Sequence, residues 1–90
     1  MSVKINIPLL FRQVTDGLST VEVDGTTVGE CLKSFIRRFP GVKGVLFDKN
    51  GRMRNEMEIY LNHKNAHPDE LIKPVKDGDE ISITLVLAGG

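Results

Sequence analysis

The sequence predicts one α+β domain in which a single main amphipathic helix covers one face of a mixed β-sheet. Strand-like alternation stands at both ends of the chain, one strong helical stripe lies between them, and turn residues separate the segments in hairpin fashion. Ninety residues with 40% hydrophobic content suffice for one modest core, so residues 1–90 are expected to form a single domain.

The first segments are expected to form an N-terminal hairpin. Apolar and polar residues alternate from Val3 to Leu9, which is the pattern of a strand with one buried face. Pro8 lacks an N–H group and favours a sheet edge or a bulge. Asp16-Gly17 offers turn chemistry before a second β-prone segment from Ser19 to Val23.

The main helix is predicted to begin at Thr27. Thr27 is a good N-cap, and Glu30 stands three positions later, where its carboxylate can reach back to the Thr27 N–H in a capping box. From Val28 to Phe39 the apolar residues form one stripe, and Pro40-Gly41 ends the helix. Basic residues in the last turn suit the helix dipole and need no ligand to explain them.

The second half of the chain predicts further strands. Asn50-Gly51 favours a type I′ turn within a hairpin or ordered loop between Val42 and Asn55. Alternation from Met57 to Leu61 predicts a half-buried strand, and Asp77-Gly78-Asp79 turns the chain into a last strand from Ile81 to Ala88. The first and last strands are the most apolar, so they are expected to lie side by side in the sheet centre, as in the β-grasp, ubiquitin-like arrangement.

Composition excludes several functional classes. Twelve basic and twelve acidic residues give formal neutrality and a pI near 6.7, so neither nucleic acid nor a membrane surface is an expected partner. Cys31 is the only cysteine, and the N-terminus lacks the apolar stretch of a signal peptide. Both observations favour the cytoplasm.

Several residues that could carry chemistry are better explained structurally. Cys31 lies in the apolar stripe and is expected to pack in the core with a raised thiol pKa. His63 and His67 have the spacing of a zinc pair, but Pro68 opposes a helix there and a second pair of ligands is missing. A basic cluster near residues 43–54 is expected to be a solvated face, with partner docking as the alternative. The sequence contains no nucleophile triad and no phosphate-binding glycine loop, so no turnover, metal or bound cofactor is expected.

The end of the chain is the most informative segment. Gly89-Gly90 directly follows the last predicted strand. Because glycine has no side chain, such a tail is slender and pliable enough to enter another protein's narrow active site. The tail alone leaves open whether it is a reagent or an incidental flexible end.

The motifs of the chain resemble those of the MoaD/ThiS sulfur-carrier family. Val75 to Gly90 is similar to that family's ending, which has a D-G-D turn, an apolar strand and a Gly-Gly tail. Thr27 to Leu32 resembles its T-V-x-x-L-L helix entrance, and Ile59 to Asn62 its central strand followed by Asn. The resemblance covers nearly the whole chain.

The resemblance implies a carrier rather than an enzyme. An ATP-dependent adenylating enzyme of the ubiquitin-activating type would convert the Gly90 carboxylate to an acyl-adenylate, and sulfur transfer would leave a thiocarboxylate on Gly90. Ala88 and Gly89 would thread the partner's active site. Tyr60 and Val86 are expected to point away from the helix-covered face, where they are candidates for partner docking.

The resemblance leaves the sulfur acceptor open. The segment from Val42 to Glu56, which shorter thiamine-type carriers tend to lack, favours a molybdopterin synthase, in which this chain would be the small subunit, or a cysteine-synthase-type enzyme. A ubiquitin-like modifier joined through Gly90 to target lysines is the alternative. A plain ubiquitin-like interaction module, with an incidental tail, is a third reading.

Overall fold

The fold is built around a five-stranded mixed sheet. The computed structural model describes residues 2–86. The strands are β1 (Ser2–Asn6), β2 (Thr20–Asp24), β3 (Met57–Leu61), β4 (Lys64–Asn65) and β5 (Glu80–Leu85), and the α-helices are α1 (Val28–Arg38) and α2 (Val42–Leu46). Two short 3-10 helices, Leu9–Val14 and Glu70–Ile72, lie in the connections.

The two terminal strands form the centre of the sheet, as predicted. The strand order is β2-β1-β5-β3-β4. The β1 and β5 strands pair in parallel with Ile5 opposite Ile81, whereas the other strand pairs are antiparallel. A parallel pair cannot be closed by a tight turn, so the connection between β1 and β5 must contain the rest of the domain.

One face of the sheet is buried under α1. The stripe predicted for this helix is confirmed, because Val28, Cys31, Leu32 and Phe35 are buried. They meet the inward residues of the strands, among which Val3, Ile5, Ile59 and Ile81 are fully buried. The helix ends at Arg38, with Phe39 as its C-cap, directly before Pro40-Gly41. Among residues 2–86, no helix has the length and apolar character needed to cross a bilayer.

The first strand is shorter than predicted. It ends at Asn6, and Pro8 caps a 3-10 helix that begins at Leu9. Phe11 is buried, while Leu9 and Leu10 are 73% and 69% exposed. The alternation up to Leu9 is therefore misleading, because the aromatic ring two residues later fills the core in place of Leu9.

The capping box differs from the predicted one by one residue. The Thr27 hydroxyl oxygen accepts a hydrogen bond from the Glu30 N–H at 3.1 Å, as expected. The Glu30 carboxylate, however, accepts from the N–H and the hydroxyl of Thr26, at 2.8 and 2.6 Å, and not from Thr27. The Thr26 hydroxyl and N–H donate to the same carboxylate oxygen of Glu30. These bonds lower the pKa of Glu30.

The segment after α1 begins with a helix in place of an extended strand. Val42 and Leu46 are buried while Gly44, midway between them, is exposed, which the period of a helix permits and the two-residue period of a strand does not. The expected type I′ turn is also wrong. Gly51 has φ of +79°, but Asn50 is not among the residues with positive φ, and type I′ needs both. The Asp48 carboxylate fixes the alternative turn by accepting the N–H groups of Asn50 and Arg52.

Gly29 allows a close approach between α1 and the second 3-10 helix. A methyl group at Gly29 would lie 2.7 Å from the backbone oxygen of Leu71. Because that oxygen belongs to the backbone, a change of side-chain rotamer cannot relieve the clash. A methyl group at Gly44 in α2 would have no such neighbouring atom within 4 Å. The two helical glycines thus differ in their surroundings.

We therefore expect Gly29→Ala and Gly44→Ala to change stability in opposite directions. Gly29→Ala should lower the free energy of unfolding by about 1 to 3 kcal/mol because of overpacking against Leu71. Gly44→Ala should raise it by about 0.5 to 1 kcal/mol, because alanine loses less backbone freedom in a helix. Urea denaturation measures both, and a stabilised Gly29→Ala protein would contradict the close packing.

Candidate functional site

The candidate site lies where β5 leaves the sheet. This strand is held between β1 and β3. Val86 follows its last residue, and the Val86 N–H donates to the backbone oxygen of Glu56 at 2.7 Å. The predicted reagent residues Ala88, Gly89 and Gly90 lie outside the described residues, as does the predicted flexible tail. Val86 stands four positions before Gly90, so the position of Val86 limits where Gly90 can go.

The start of β5 is fixed by the buried carboxylate of Asp79. Its two oxygens accept from the Asn62 side-chain amide at 3.0 Å and from the Lys76 N–H at 2.9 Å. These bonds lower the pKa of Asp79, the Asn62 bond contributing most, while burial opposes them. The D-G-D turn and the Asn after β3, both noted in the sequence, thus form one structural unit.

Side chains on the outer face hold β5 to β1. The Lys4 ammonium lies 3.0 Å from the Glu80 carboxylate and lowers its pKa. The Asn6 amide donates to the Ser82 hydroxyl at 3.0 Å. The backbone adds a bond from the Lys4 N–H to the backbone oxygen of Asp79 at 3.0 Å. These contacts fix the direction in which the strand runs toward the tail.

Tyr60 and Val86, the predicted docking residues, occupy the outer face but are not adjacent. Tyr60 is opposite Ser82, and the Glu58–Thr84 pair separates it from Val86. Four strand residues span roughly 13 Å. The Tyr60 hydroxyl donates to Glu58 at 3.1 Å, which raises the pKa of Tyr60. Val86 is 40% exposed, and its role in docking stays a prediction.

An apolar groove that sequence reasoning missed lies on the other side of β5. We call it the exit groove, and it has a volume of ≈ 300 Å³. Its apolar walls come from Leu10, Phe11, Val45, Met57 and Leu85, and its remaining residues are Gly44, Arg54 and Glu56. The pair Leu9-Leu10 after Pro8 could have indicated an exposed apolar surface in the sequence, because two consecutive leucines cannot both face inward from a strand.

The other candidate residues have structural surroundings. Cys31 is 0% exposed, and burial raises the pKa of its thiol, as expected for a core residue. His63 approaches Glu80 at 3.5 Å, whereas His67 approaches Glu70 at 3.2 Å. Within the described part of the chain, no group of three or more His, Cys, Asp or Glu side chains could hold a metal ion.

Comparison with known proteins now adds the family. The ThiS family model matches residues 9–90. The chain belongs to the ThiS family. The predicted resemblance is therefore confirmed, and the matched range includes the exit groove and the last strand.

Solved structures support the same assignment. A chain from the crystal structure of the Amycolatopsis orientalis BexX/CysO complex is 31% identical, with a TM-score of 0.87 over 98% of this chain and 99% of that one. The solution structure of small archaeal modifier protein 1 (SAMP1) from Methanosarcina acetivorans is 27% identical, with a TM-score of 0.86 over 99% and 96%. The predicted β-grasp fold is confirmed.

A curated relative is much longer. The mitochondrial medium-chain acyl-CoA ligase ACSF2 of Danio rerio is 27% identical over 78 residues, or 87% of this chain. The chain spans only 13% of that protein's length. Taken together, the ThiS family match and the solved structures assign the chain to the ThiS family and its fold to the β-grasp class.

We expect Asp79→Asn to lower stability at neutral pH, because one of the two acceptor oxygens becomes an NH₂ group that faces a donor. The free energy of unfolding should fall by roughly 1 to 3 kcal/mol. The folded pKa of Asp79 is lowered, so its contribution is present above the unfolded pKa of about 3.9 and is lost as pH falls through the folded pKa.

The difference between wild type and variant should accordingly shrink on acidification, as measured by urea denaturation at a series of pH values. Asp69→Asn, at an exposed carboxylate with no capping bond, should change stability by less than about 0.5 kcal/mol. A difference for Asp79→Asn that grew at low pH would contradict the assigned role.

Proposed function

We propose that this chain is a sulfur carrier whose Gly90 carboxylate is adenylated by an ATP-dependent activating enzyme and then converted to a thiocarboxylate. The observation that carries this proposal is the ThiS family match, which extends from residue 9 through Gly90. The proposal requires Gly90 to carry the free α-carboxylate of the mature protein. The carrier itself performs no turnover.

The chemistry explains why a partner enzyme is needed. An ionised α-carboxylate, with a reference pKa of about 3.3 to 3.7, is a poor electrophile because it has no good leaving group. Attack of the Gly90 carboxylate on the α-phosphate of ATP releases pyrophosphate and forms an acyl-adenylate. A hydrosulfide equivalent then attacks the carbonyl carbon, and AMP leaves. The thiocarboxylate that remains is a nucleophile for the next enzyme.

The geometry before the tail favours an enzyme that contacts the folded body. Four residues, each reaching at most about 3.3 to 3.6 Å, place Gly90 within roughly 14 Å of Val86. Ordering each residue costs about 1 to 2 kcal/mol, and glycine loses the most freedom. Contacts with the body must offset that cost. We propose that the activating enzyme docks on the exit groove, with Tyr60 and Val86 as a second contact on the outer face.

The acceptor of the sulfur is also a proposal. The segment from Val42 to Glu56 forms α2 and an ordered turn, and thiamine-type carriers tend to be shorter there. We therefore favour the large subunit of a molybdopterin synthase or a cysteine-synthase-type enzyme over a thiamine-type acceptor. Either enzyme would receive the sulfur from the same Gly90 thiocarboxylate in the cytoplasm.

A second candidate function is protein modification. The likeness to the M. acetivorans modifier, at 27% identity, favours it. In that reaction a target lysine amine attacks the carbonyl carbon of the same acyl-adenylate, AMP leaves, and the nitrogen loses a proton to give an amide with Gly90. Immunoblots of cell extract distinguish the two fates, because conjugation gives discrete higher-mass bands that disappear when Gly90 is deleted.

Intact-mass spectrometry of the protein purified from its native cells tests the carrier function. A thiocarboxylate adds about 16 Da, and fragmentation must place the change at Gly90 and not at an oxidised Met1, Met53 or Met57. Gly90→Ala is the control, since it should melt like wild type yet be adenylated poorly. Unmodified wild type after incubation with its activating enzyme, ATP and a sulfur donor, or a mature chain extending beyond Gly90, would contradict the proposal.

Leu10→Glu tests the docking surface. Leu10 lines the exit groove and is 69% exposed, while Ile72 is 72% exposed and does not line this groove. Leu10→Glu should raise the KM of the activating enzyme for this chain by about tenfold, because a charge enters an apolar contact. Ile72→Glu, equal in charge and exposure, should leave KM within about twofold. Pyrophosphate exchange measures both, and equal effects would contradict docking at the groove.

A further inference from the structure

Charges are unevenly distributed along this neutral chain. Residues 33–54 contain seven of the twelve Lys and Arg residues but only one of the twelve Asp and Glu residues. The remainder of the chain therefore has five basic and eleven acidic residues. A formal net charge of zero conceals a positive and a negative region, and each can act on a nearby partner.

The fold collects these cations around two adjoining grooves beside α1 and α2. The first groove, of ≈ 390 Å³, is lined by Lys33, Ile36 and Arg37 together with Lys43, Phe47 and Gly51. The second, of ≈ 600 Å³, shares the last three residues and adds Lys49 and Arg54 among others. We call the combined surface the basic groove. Its cations come from segments that are up to 21 positions apart in sequence.

Cations outnumber acidic side chains in the lining of these grooves. Within residues 2–86, none of the five lining cations forms an ion pair; Arg37 donates to the Ser34 hydroxyl and Arg54 to the Gly44 oxygen. The carboxylate of Asp48, the acid in this region, accepts from the N–H groups of Asn50 and Arg52 at 2.9 and 3.0 Å. Asp48 keeps its negative charge and lines the second groove, so the two grooves together present five cations and one carboxylate.

The floor of the groove identifies the chemistry of a ligand. Ile36 and Phe47 are half-buried apolar side chains between the cations. An apolar side chain flanked by carboxylates complements such a surface in both shape and charge. Single-stranded nucleic acid would require a series of stacking aromatic rings along a basic track. Phe47 is the one aromatic lining residue, and the acidic remainder of the chain repels a long polyanion.

The basic groove is continuous with the exit groove, since Gly44 and Arg54 line both. A protein that engages the end of β5 can thus extend over α2 to the cations. We propose that the basic groove docks an acidic surface with a protruding apolar side chain on the activating enzyme. The proposal rests on the function proposed above and adds the chemistry of that partner's docking surface.

A peptide titration tests the groove independently of sulfur chemistry. The probe is a short synthetic peptide with one leucine flanked by glutamates, added to ¹⁵N-labelled full chain. Backbone shifts should change around Lys33, Lys43 and Phe47, and the changes should be lost when glutamines replace the glutamates. Absence of shifts at millimolar peptide, or stronger binding of a thymidine oligonucleotide at the same residues, would overturn the proposal.

Adenylation kinetics test the partner. Lys33→Glu/Lys43→Glu should raise the KM of the activating enzyme by about tenfold and leave kcat unchanged, because long-range attraction is lost. Lys64→Glu/Lys76→Glu makes the same change of net charge at two exposed residues elsewhere and should leave KM within about twofold. The wild-type KM should rise with salt more steeply than that of the groove variant.

The outcomes separate the two proposals. Equal KM values for both double variants, with Gly90→Ala still defective, would overturn the docking surface and leave the carrier function standing. Wild type that is not adenylated at all would overturn the carrier function and, with it, the identity of the partner. In that case the peptide titration would still decide whether the groove recognises an acidic, apolar segment. Thermal melts of the variants confirm that they fold.

Discussion

The structure depends on the parallel pairing of β1 with β5. These strands are separated by nearly the whole chain, so forming the pair closes a long loop at an entropic cost. Burial of Ile5 and Ile81, opposite one another under α1, offsets that cost. The Lys4–Glu80 ion pair and the hydrogen bond from the Lys4 N–H to the backbone oxygen of Asp79 join the two strands in this register. Because β5 lies inside the sheet and not at its edge, its direction is fixed from both sides, and so is the position of Val86.

That constraint separates the roles that the proposed function gives to the folded body and to Gly90. Residues up to Val86 are held by backbone hydrogen bonds, and four more residues lead to Gly90. In the proposed reaction, the carrier contributes position and identity, while the activating enzyme contributes all catalytic groups. This division explains why the buried Cys31 thiol, with its raised pKa, has no part in the proposed sulfur chemistry. It also explains why surfaces near the end of β5, and not the core, would distinguish one partner from another.

Sequence patterns predicted the features that depend on local periodicity. The stripe of α1, the Thr27 N-cap and the alternation of β3 follow from residue spacing alone, and each was confirmed. Features decided by tertiary packing were not predictable. Whether Leu9 or Phe11 fills the core depends on space beneath the sheet, and α2 exists because Val42 and Leu46 both find buried positions. The exit groove and the basic groove are likewise tertiary, since each combines segments distant in sequence.

The net charge of the sequence likewise did not reveal how the fold distributes the charges on the surface. Formal neutrality argued against a polyanionic partner, and the acidic remainder of the chain supports that argument for a long nucleic acid. At the scale of a docking surface, however, a Debye length of about 8 to 10 Å means that a partner senses the nearest few charges and not the total. Lys33 and Lys43 lie on different helices yet line the same groove, so their fields add there. In the proposed complex, the apolar exit groove would supply contact area near Val86, and the basic groove would favour one orientation of the partner.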